Sequence, residues 1–292
     1  MNLSQRHHYL PEVYLKGFTD SDGKLAVYDI RNKELKKGRF SPKQVFFEWN
    51  RNTFEINSEK TDFLEFSYRN IDQNVAPTLK KLQRTSSDVE LSTYDILNLI
   101  FFQGMTYWRI PSTDLEIINH VKTTDKKELF VKLINPLTNE LANDNMYNRL
   151  LKEQLFIESY RIPKAIGDFL KATNKYVLEN WKITYPSRHS KLHLIGDNPI
   201  LTLEDDFDNI LETESIFPLS SSKNLWHLNS IFPESISPET TVMIDKLIFL
   251  QSERYVCGPD PNYLKCIAEM CDNLTINDKI IKCLKLNIFA KM

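Results

Sequence analysis

"DFLEFSYRNIDQNVAPTLKKL", residues 62–82, is the stretch that decides the character of the fold. Its apolar side chains recur at steps of three and four residues, the spacing that places them on one face of an α-helix. The residues in this series are Leu64, Tyr68, Ile71, Val75, Leu79 and Leu82. The series continues through Pro77, although proline removes a hydrogen bond from a helix interior. We therefore expect one kinked helix or two helices in line.

Helical signals continue on the C-terminal side of this stretch. Ser92 is placed to cap a helix that runs to about Arg109 and stops before a proline. Pro163 then separates two more helical patterns. These patterns predict helices over about 146–161 and 164–181. The middle of the chain, about 59–181, is therefore predicted to be helical.

Strand-like segments lie on both sides of the helical middle. "KLAVYDI" (24–30) alternates as a half-buried strand does, and "NTFEI" (52–56) is its candidate partner. A strand-rich segment is expected over about 182–232, and C-terminal helices over about 237–290. The first of these helices is expected to end near Val256. Strands at both ends with helices between them predict one α+β domain over 1–292, in which N-terminal and C-terminal strands form a mixed or antiparallel sheet.

Composition excludes several classes of protein. A hydrophobic content of 41% and a charged content of 26% are ordinary for a globular chain. The net charge of −2 argues against non-specific coating of nucleic acid. Neither GxGxxG nor GxxxxGK[ST] occurs, so neither familiar nucleotide-binding loop is predicted. The first residues are polar and the most apolar stretch, 96–108, is too short to span a bilayer, so we expect a cytoplasmic protein without membrane contact.

Two adjacent histidines, His7 and His8, precede a helix that starts with Pro11. The positive end of the helix dipole lowers the pKa of a nearby imidazole. A neutral imidazole can act as a general base, bind a metal or donate a hydrogen bond. The structural alternative is that one histidine caps the helix or packs while the other is solvated. Because adjacent residues point in different directions, at most one of them should face a given site.

Two other polar segments are candidates for a site. "GDNP" (196–199) presents Asp197 and Asn198 between strand-like runs, where Asp197 is either a metal ligand or general base, or simply part of a turn. "FFQGMTYWRIP" (101–111) places the amide of Gln103 among apolar residues, where it must find partners. At the end of the same helix, Arg109 either binds a phosphate or carboxylate or caps the helix.

Two runs of charged residues and a group of cysteines complete the polar features of the sequence. "RNKELKKGRFSPK" (31–43) carries Lys36, Lys37 and Arg39, which either contact phosphates or form a solvated hairpin rim. The acidic run 204–214 lacks the spacing of a calcium loop and is expected to be an exposed loop. The four cysteines near the C-terminus include no CxxC pair, which favours free, buried thiols over a zinc site.

Several of these segments occur in an order that resembles one prokaryotic family, the uncharacterised proteins grouped as domain of unknown function 4238. The matching pieces include "RHHYLPEVYLKGF", "QGMTYWRIP", "IGDNPI" and "FPLS". The expected similarity extends over nearly the whole chain. The chain departs from the family pattern at Gly196, where serine is usual, at Asp72, where glutamate is usual, and at Asp245, where asparagine is common. If the family's glutamate is an essential metal ligand, the shorter Asp72 argues against a metal role at this position.

The resemblance implies a bacterial protein, and some relatives look like components of anti-phage defence loci. That association suggests an effector that acts on nucleic acid, as a metal-dependent or histidine-based nuclease or hydrolase. In this hypothesis His7 or His8 is the general base or a metal ligand, and Asp197 orients it or holds a divalent cation. Arg109 stabilises the charge of a phosphate.

The remaining matched residues complete this hypothesis. Gln103 and Asn198 would position the substrate, and the basic loop with Lys36, Lys37 and Arg39 would guide a nucleic-acid backbone. The alternative is a non-enzymatic binding or sensing module, in which the same polar residues form a buried structural network. A subunit that works only with a partner protein is a third hypothesis. A cleft shared by a histidine, Asp197 and Arg109 would favour the enzyme.

Overall fold

A computed structural model of the chain describes residues 5–56, 59–84, 89–130, 134, 138–141, 143–173, 177–185, 193–205, 207–229, 232, 236–272 and 278–289. Its strands, β1 to β12, are Arg6–His8, Ala26–Asp29, Glu34–Leu35, Phe47–Trp49, Phe54–Ile56, Glu59–Thr61, Trp181–Thr184, Ile195–Gly196, Leu201–Thr202, Ser215–Ser220, Lys223–His227 and Tyr255–Gly258. Its α-helices, α1 to α10, are Glu12–Leu15, Phe63–Arg84, Thr93–Arg109, Asp114–Thr123, Asp144–Leu150, Gln154–Ser159, Arg161–Thr173, Pro238–Gln251, Pro261–Asp272 and Asp278–Phe289.

The predicted α+β class is confirmed by a sheet that joins the two ends of the chain. Its strand order is β3-β2-β12-β8, so the C-terminal strand β12 lies between the N-terminal β2 and the later β8. All three pairings are antiparallel, with Tyr255 opposite Asp29. Apolar side chains of β2 and β12 are buried in the core, including Val27 and Val256.

A second antiparallel sheet, in the order β7-β11-β10-β9, forms most of the predicted strand-rich segment. Its central strand β10 is buried along its whole length and contains Pro218. The Tyr14 hydroxyl of α1 donates a hydrogen bond of 2.5 Å to the Pro218 carbonyl oxygen, which ties the N-terminal segment to this sheet. Residues 186–192, inside the predicted segment, and the predicted helix end near 290 lie outside the described residues.

The helical middle contains the two helices on which the site is built. α2 is one continuous helix that includes Pro77, so the two-helix alternative is wrong. The predicted cap of α3 is confirmed, since the Ser92 side chain accepts from the Asp95 N–H and the Asp95 carboxylate accepts from the Ser92 N–H. α3 packs against α2 and α7 and is buried along most of its second half. This packing fixes the position of Arg109, the last residue of α3.

Two helix predictions need correction. The predicted helix over 146–161 is two short helices, α5 and α6, because residues 151–153 form a turn between them. The helix predicted over 164–181 is α7, which begins earlier, at Arg161, and ends at Thr173. Pro163 did not delay its start because proline lacks only an N–H that the first helical turn leaves unused.

Two strand-related predictions also need correction. "NTFEI" does not pair with β2, because its residues 54–56 form β5 and pair with β6, the next strand in the chain. The C-terminal region is not wholly helical. The helix from Ser237 ends at Gln251 rather than near Val256, because the chain becomes extended at Ser252 and then forms β12.

Candidate functional site

The short antiparallel pair formed by β1 and β4 determines which of the two histidines faces solvent. His7 pairs with Glu48, and His8 pairs with Phe47. Successive side chains of a strand point to opposite faces. His7 is fully buried and its Nδ1 atom accepts a hydrogen bond of 2.7 Å from the Asn52 N–H. His8 is half-buried and lines a cleft on the other side.

This cleft has a volume of about 250 Å³ and lies between α1, α2 and the end of α3. Most of its lining residues are polar or charged. The complete lining consists of His8, Pro11, Glu12, Val13, Glu65, Arg69, Asp72, Gln73, Ala76 and Arg109. Two residues that the sequence predicted as site residues, His8 and Arg109, are therefore brought together from positions about one hundred residues apart in the chain.

The environment of His8 favours its neutral form. Burial lowers the pKa of His8 below its usual 6.5, and the charge of Arg109 lowers it further, while Glu12 and Glu65 act in the opposite direction. The backbone of Lys43 forms a hydrogen bond with the imidazole. The Nε2 atom is buried and has no hydrogen-bond partner among the described residues. The hydrogen bond with the Lys43 backbone is therefore made by Nδ1, and the Nε2 lone pair accepts no hydrogen bond from a described residue.

Arg109 is held in the cleft wall by an acid and an aromatic ring. Its Nη1 atom donates to both carboxylate oxygens of Asp72, each at 2.9 Å. Its guanidinium carbon lies 4.4 Å from the ring centroid of Tyr68, a cation–π contact. Burial raises the pKa of the Asp72 carboxyl, and the positive charge of Arg109 opposes that rise. The Arg109 Nε atom is buried without a hydrogen-bond partner among the described residues.

Three charged residues of the cleft were missed by the sequence analysis. Glu12 lies in the first turn of α1. Glu65 accepts a hydrogen bond of 2.9 Å from the Asn52 side-chain amide. Arg69 is exposed and forms no ion pair with any other described residue. The sequence did contain a signal for the cleft residues of α2. Positions 65, 69, 72, 73 and 76 follow helical spacing and form a second face of the helix beside its apolar face.

Asp197 is buried and does not line this cleft. Its carboxylate accepts hydrogen bonds from three consecutive N–H groups, those of Glu253, Arg254 and Tyr255, at 3.0, 2.7 and 3.3 Å. Burial raises the pKa of the Asp197 carboxyl and these three donors oppose the rise. The structure thus places Asp197 where it organises the turn between α8 and β12.

Two of the predicted substrate-binding residues, Gln103 and Asn198, also lie away from His8. Gln103 is fully buried, and its amide donates a hydrogen bond of 2.9 Å to the Ser215 hydroxyl, which connects α3 to β10. Asn198 lines a different cavity, of about 360 Å³, whose walls include Tyr107 and Gln251. The Gln251 amide donates to the Asn198 carbonyl oxygen at 2.5 Å. Neither residue lines the His8 cleft.

The basic loop is partly neutralised by neighbouring groups. Lys36 forms an ion pair of 3.2 Å with Asp29 and also donates to the Tyr255 hydroxyl. Arg39 pairs with Asp20 and donates to the Pro259 carbonyl oxygen at 2.6 Å. Lys37 is exposed and pairs with no acid among the described residues.

No group of three or more His, Cys, Asp or Glu side chains in the described part of the chain is arranged to hold a metal ion. All four cysteines are free, with Cys257 and Cys271 buried and Cys266 and Cys283 exposed, so the prediction that the thiols are buried is right for only two of them. No described helix combines the length and apolarity required to cross a membrane.

These features define a class: an α+β protein whose N-terminal strand presents one histidine to a cleft lined by arginines and carboxylates. The family model described as "Protein of unknown function (DUF4238)" matches residues 6–261, and the chain belongs to this family. The resemblance seen in the sequence is thereby confirmed. A search of curated proteins and a search of solved structures returned no match.

Proposed function

We propose that this chain is a nuclease-like hydrolase that acts on nucleic acid, with His8 as the general base. The observation that carries the proposal is that His8, whose Nε2 atom has no hydrogen-bond partner among the described residues, lines the same cleft as Arg109. A base must be unprotonated at working pH and must offer a free lone pair. The lowered pKa of His8 supports the first requirement, and the hydrogen bond to Lys43 supports the second.

The proposed reaction uses the side chains of the cleft. His8 Nε2 takes a proton from water or a hydroxyl group, whose oxygen then attacks the phosphorus of a phosphodiester. The bond between phosphorus and the leaving oxygen of the strand breaks, and that oxygen takes up a proton from solvent water. Arg69 binds a non-bridging oxygen, and Arg109 stabilises the negative charge that develops at the phosphate. Asp72 keeps the Arg109 guanidinium in place. His7 and Asp197 act as positioning residues. His7 accepts a hydrogen bond from the Asn52 N–H beside β4, and Asp197 accepts one from the Arg254 N–H just before β12.

A second candidate function is a binding or sensing module without turnover. It is favoured by the fact that His7, Gln103, Arg109 and Asp197 are all at most 8% exposed. Each of them also has a hydrogen-bond partner in the structure. Buried polar networks of this kind rigidify a protein and can serve structure alone.

The two candidates make different predictions for the variant His8→Ala. We expect the hydrolase to lose at least 100-fold in kcat/KM, a typical contribution of a general base, while its thermal unfolding midpoint changes little because His8 is half-buried. The assay is cleavage of labelled RNA and DNA, with and without added Mg²⁺ or EDTA. In the wild type, kcat/KM should fall with decreasing pH only below pH 6.5, because burial lowers the pKa of His8.

Lys127→Ala is the matched control, because Lys127 is exposed and lies outside both the cleft and the basic loop. Asp197→Ala should lower the unfolding midpoint, since three N–H groups lose their acceptor. A plaque assay in cells carrying each variant tests the defence role. Wild-type protein that cleaves neither RNA nor DNA under any condition would refute the hydrolase and favour the binding module.

A further inference from the structure

We infer that the solvent face of the β1–β4 pair is a stacking platform for the unpaired bases of a single-stranded nucleic acid. The platform consists of Arg6, His8, Phe47 and Trp49. The inference rests on the proposed function, because it names the substrate class of the same site. A platform beside the cleft would hold a strand so that one of its phosphodiesters lies next to His8.

The register of the two strands places these four side chains on one face. Arg6 is opposite Trp49, and His8 is opposite Phe47. Residues directly opposite each other in an antiparallel pair project to the same side of the sheet. His7 and Glu48 occupy the positions between them and project to the other side, where His7 is fully buried.

The rings form a continuous row that starts at the proposed base. The centroids of His8 and Phe47 are 5.6 Å apart, and those of Phe47 and Trp49 are 5.7 Å apart. The Arg6 guanidinium lies 5.1 Å from the centroid of each of the last two rings. The row thus extends from the polar cleft to the protein surface without a gap.

Trp49, at the outer end of the row, is 58% exposed. The other three tryptophans of the chain, Trp108, Trp181 and Trp226, are at most 5% exposed. An exposed indole offers a broad surface on which any base can stack, since every base has a π face. Aromatic rings interleaved with cations are the usual means of binding single strands without sequence preference.

The charges around the row match a polyanion with exposed bases. Arg6 lies over the rings, while Arg69 and Lys43 are exposed near His8 and form no ion pair with another described residue. Glu48, on the opposite side, is paired with Arg51 at 2.7 Å. A double helix keeps its base faces stacked on one another, so it could use the cations but not the rings.

Intrinsic fluorescence and anisotropy test this inference directly. Labelled dT and rU 12-mers with phosphorothioate linkages, which resist hydrolysis, are titrated into the wild-type protein, so that all four platform residues are present. Because Trp49 alone among the four tryptophans is exposed, stacking should quench the emission of that residue. Trp49→Ala should weaken binding of both strands about 10-fold, the loss expected for one stacked base. Trp49→Phe should retain binding within about 3-fold, because a ring remains.

The matched control is Tyr94→Ala. Tyr94 is 68% exposed, but it lies in the first turn of α3, about 20 Å along the helix from Arg109. This variant should bind both strands as the parent does. The comparison of the dT and rU arms shows whether the platform takes DNA, RNA or both.

Three results would overturn the platform: no binding of either strand, equal affinity after Trp49→Ala, or duplex binding as tight as single-strand binding. The proposed function fails separately. Nucleic-acid cleavage that requires His8 but is indifferent to Trp49→Ala would refute the platform and leave the hydrolase intact. Binding that depends on Trp49, in a protein that cleaves nothing, would support the platform and refute the hydrolase.

Discussion

The substitution Asp72→Asn tests whether one ion pair holds the cleft together. Asn has almost the same size as Asp but carries no charge. The Arg109 side chain is 6% exposed, and its Nη1 atom donates to both Asp72 oxygens at 2.9 Å. The substitution therefore leaves a buried guanidinium without its carboxylate, while the packing around it is kept.

The size of the effect follows from the burial of the two partners. Removing one partner of a fully buried ion pair costs about 3–5 kcal/mol. Here the cost is reduced because the Asp72 side chain is 19% exposed and because the contact of Arg109 with the Tyr68 ring survives. A cation–π contact contributes about 0.5–2 kcal/mol. We expect the free energy of unfolding to fall by about 2–3 kcal/mol. Asp72→Glu should cost less because it keeps the charge.

Urea denaturation at pH 7, followed by circular dichroism, measures this difference, since urea does not screen charges. The matched control is Asp144→Asn, the same substitution in an exposed ion pair. The Lys126 Nζ atom lies 2.5 Å from an Asp144 carboxylate oxygen, and the Asp144 side chain is 85% exposed. Solvated pairs contribute little, so the control should leave the urea midpoint almost unchanged. Equal effects of the two substitutions, or no effect of Asp72→Asn, would show that Arg109 does not depend on Asp72.

Two further predictions concern packing and pH. Gly196→Ala should lower the free energy of unfolding by about 1–3 kcal/mol, because the added Cβ atom would lie 2.0 Å from the Ser252 Oγ atom. In a double-mutant cycle, adding Ser252→Ala should recover part of this loss. Additive losses would contradict the steric explanation. Burial, followed by the charges of Lys164 and Lys171, lowers the pKa of His120 to about 4. The unfolded chain then binds the proton first, so stability should decline as the pH falls from 6.5 to about 4. His120 is only half-buried and solvent screens part of this effect, so we expect a loss of about 1–2 kcal/mol. His120→Gln should flatten that part of the stability profile, and an unchanged slope would refute the assignment.

Local features of the fold were predictable because their causes are close in sequence. The helical spacing over 62–82 and the cap at Ser92 involve neighbours within four residues, and both appear in the structure. Strand pairing depends on distant partners. The segment 52–56 looked like a partner for β2, but it pairs with the next strand through a short connection, whereas β2 pairs with β12 near the other end of the chain.

The candidate site was predictable to a similar degree. The alternation of a strand explains why only one of two adjacent histidines faces the cleft, and the resemblance to the family suggested Arg109. The placement of Asp197 could not be inferred, because its three donors lie 56 to 58 residues further along the chain. Nothing in the turn sequence "GDNP" distinguishes a carboxylate that binds backbone N–H groups from one that faces a cleft.

The position of β12 between β2 and β8 has a consequence for the order of synthesis. As the chain leaves the ribosome, β2 has β3 on one side, but its other side stays open until residues 255–258 have emerged. An open strand edge is a template for pairing with other chains. The segment that joins β2 to β12 must therefore be made, with one sheet incomplete, before this four-residue strand can pair with the open edge of β2. The risk of aggregation is concentrated in that interval.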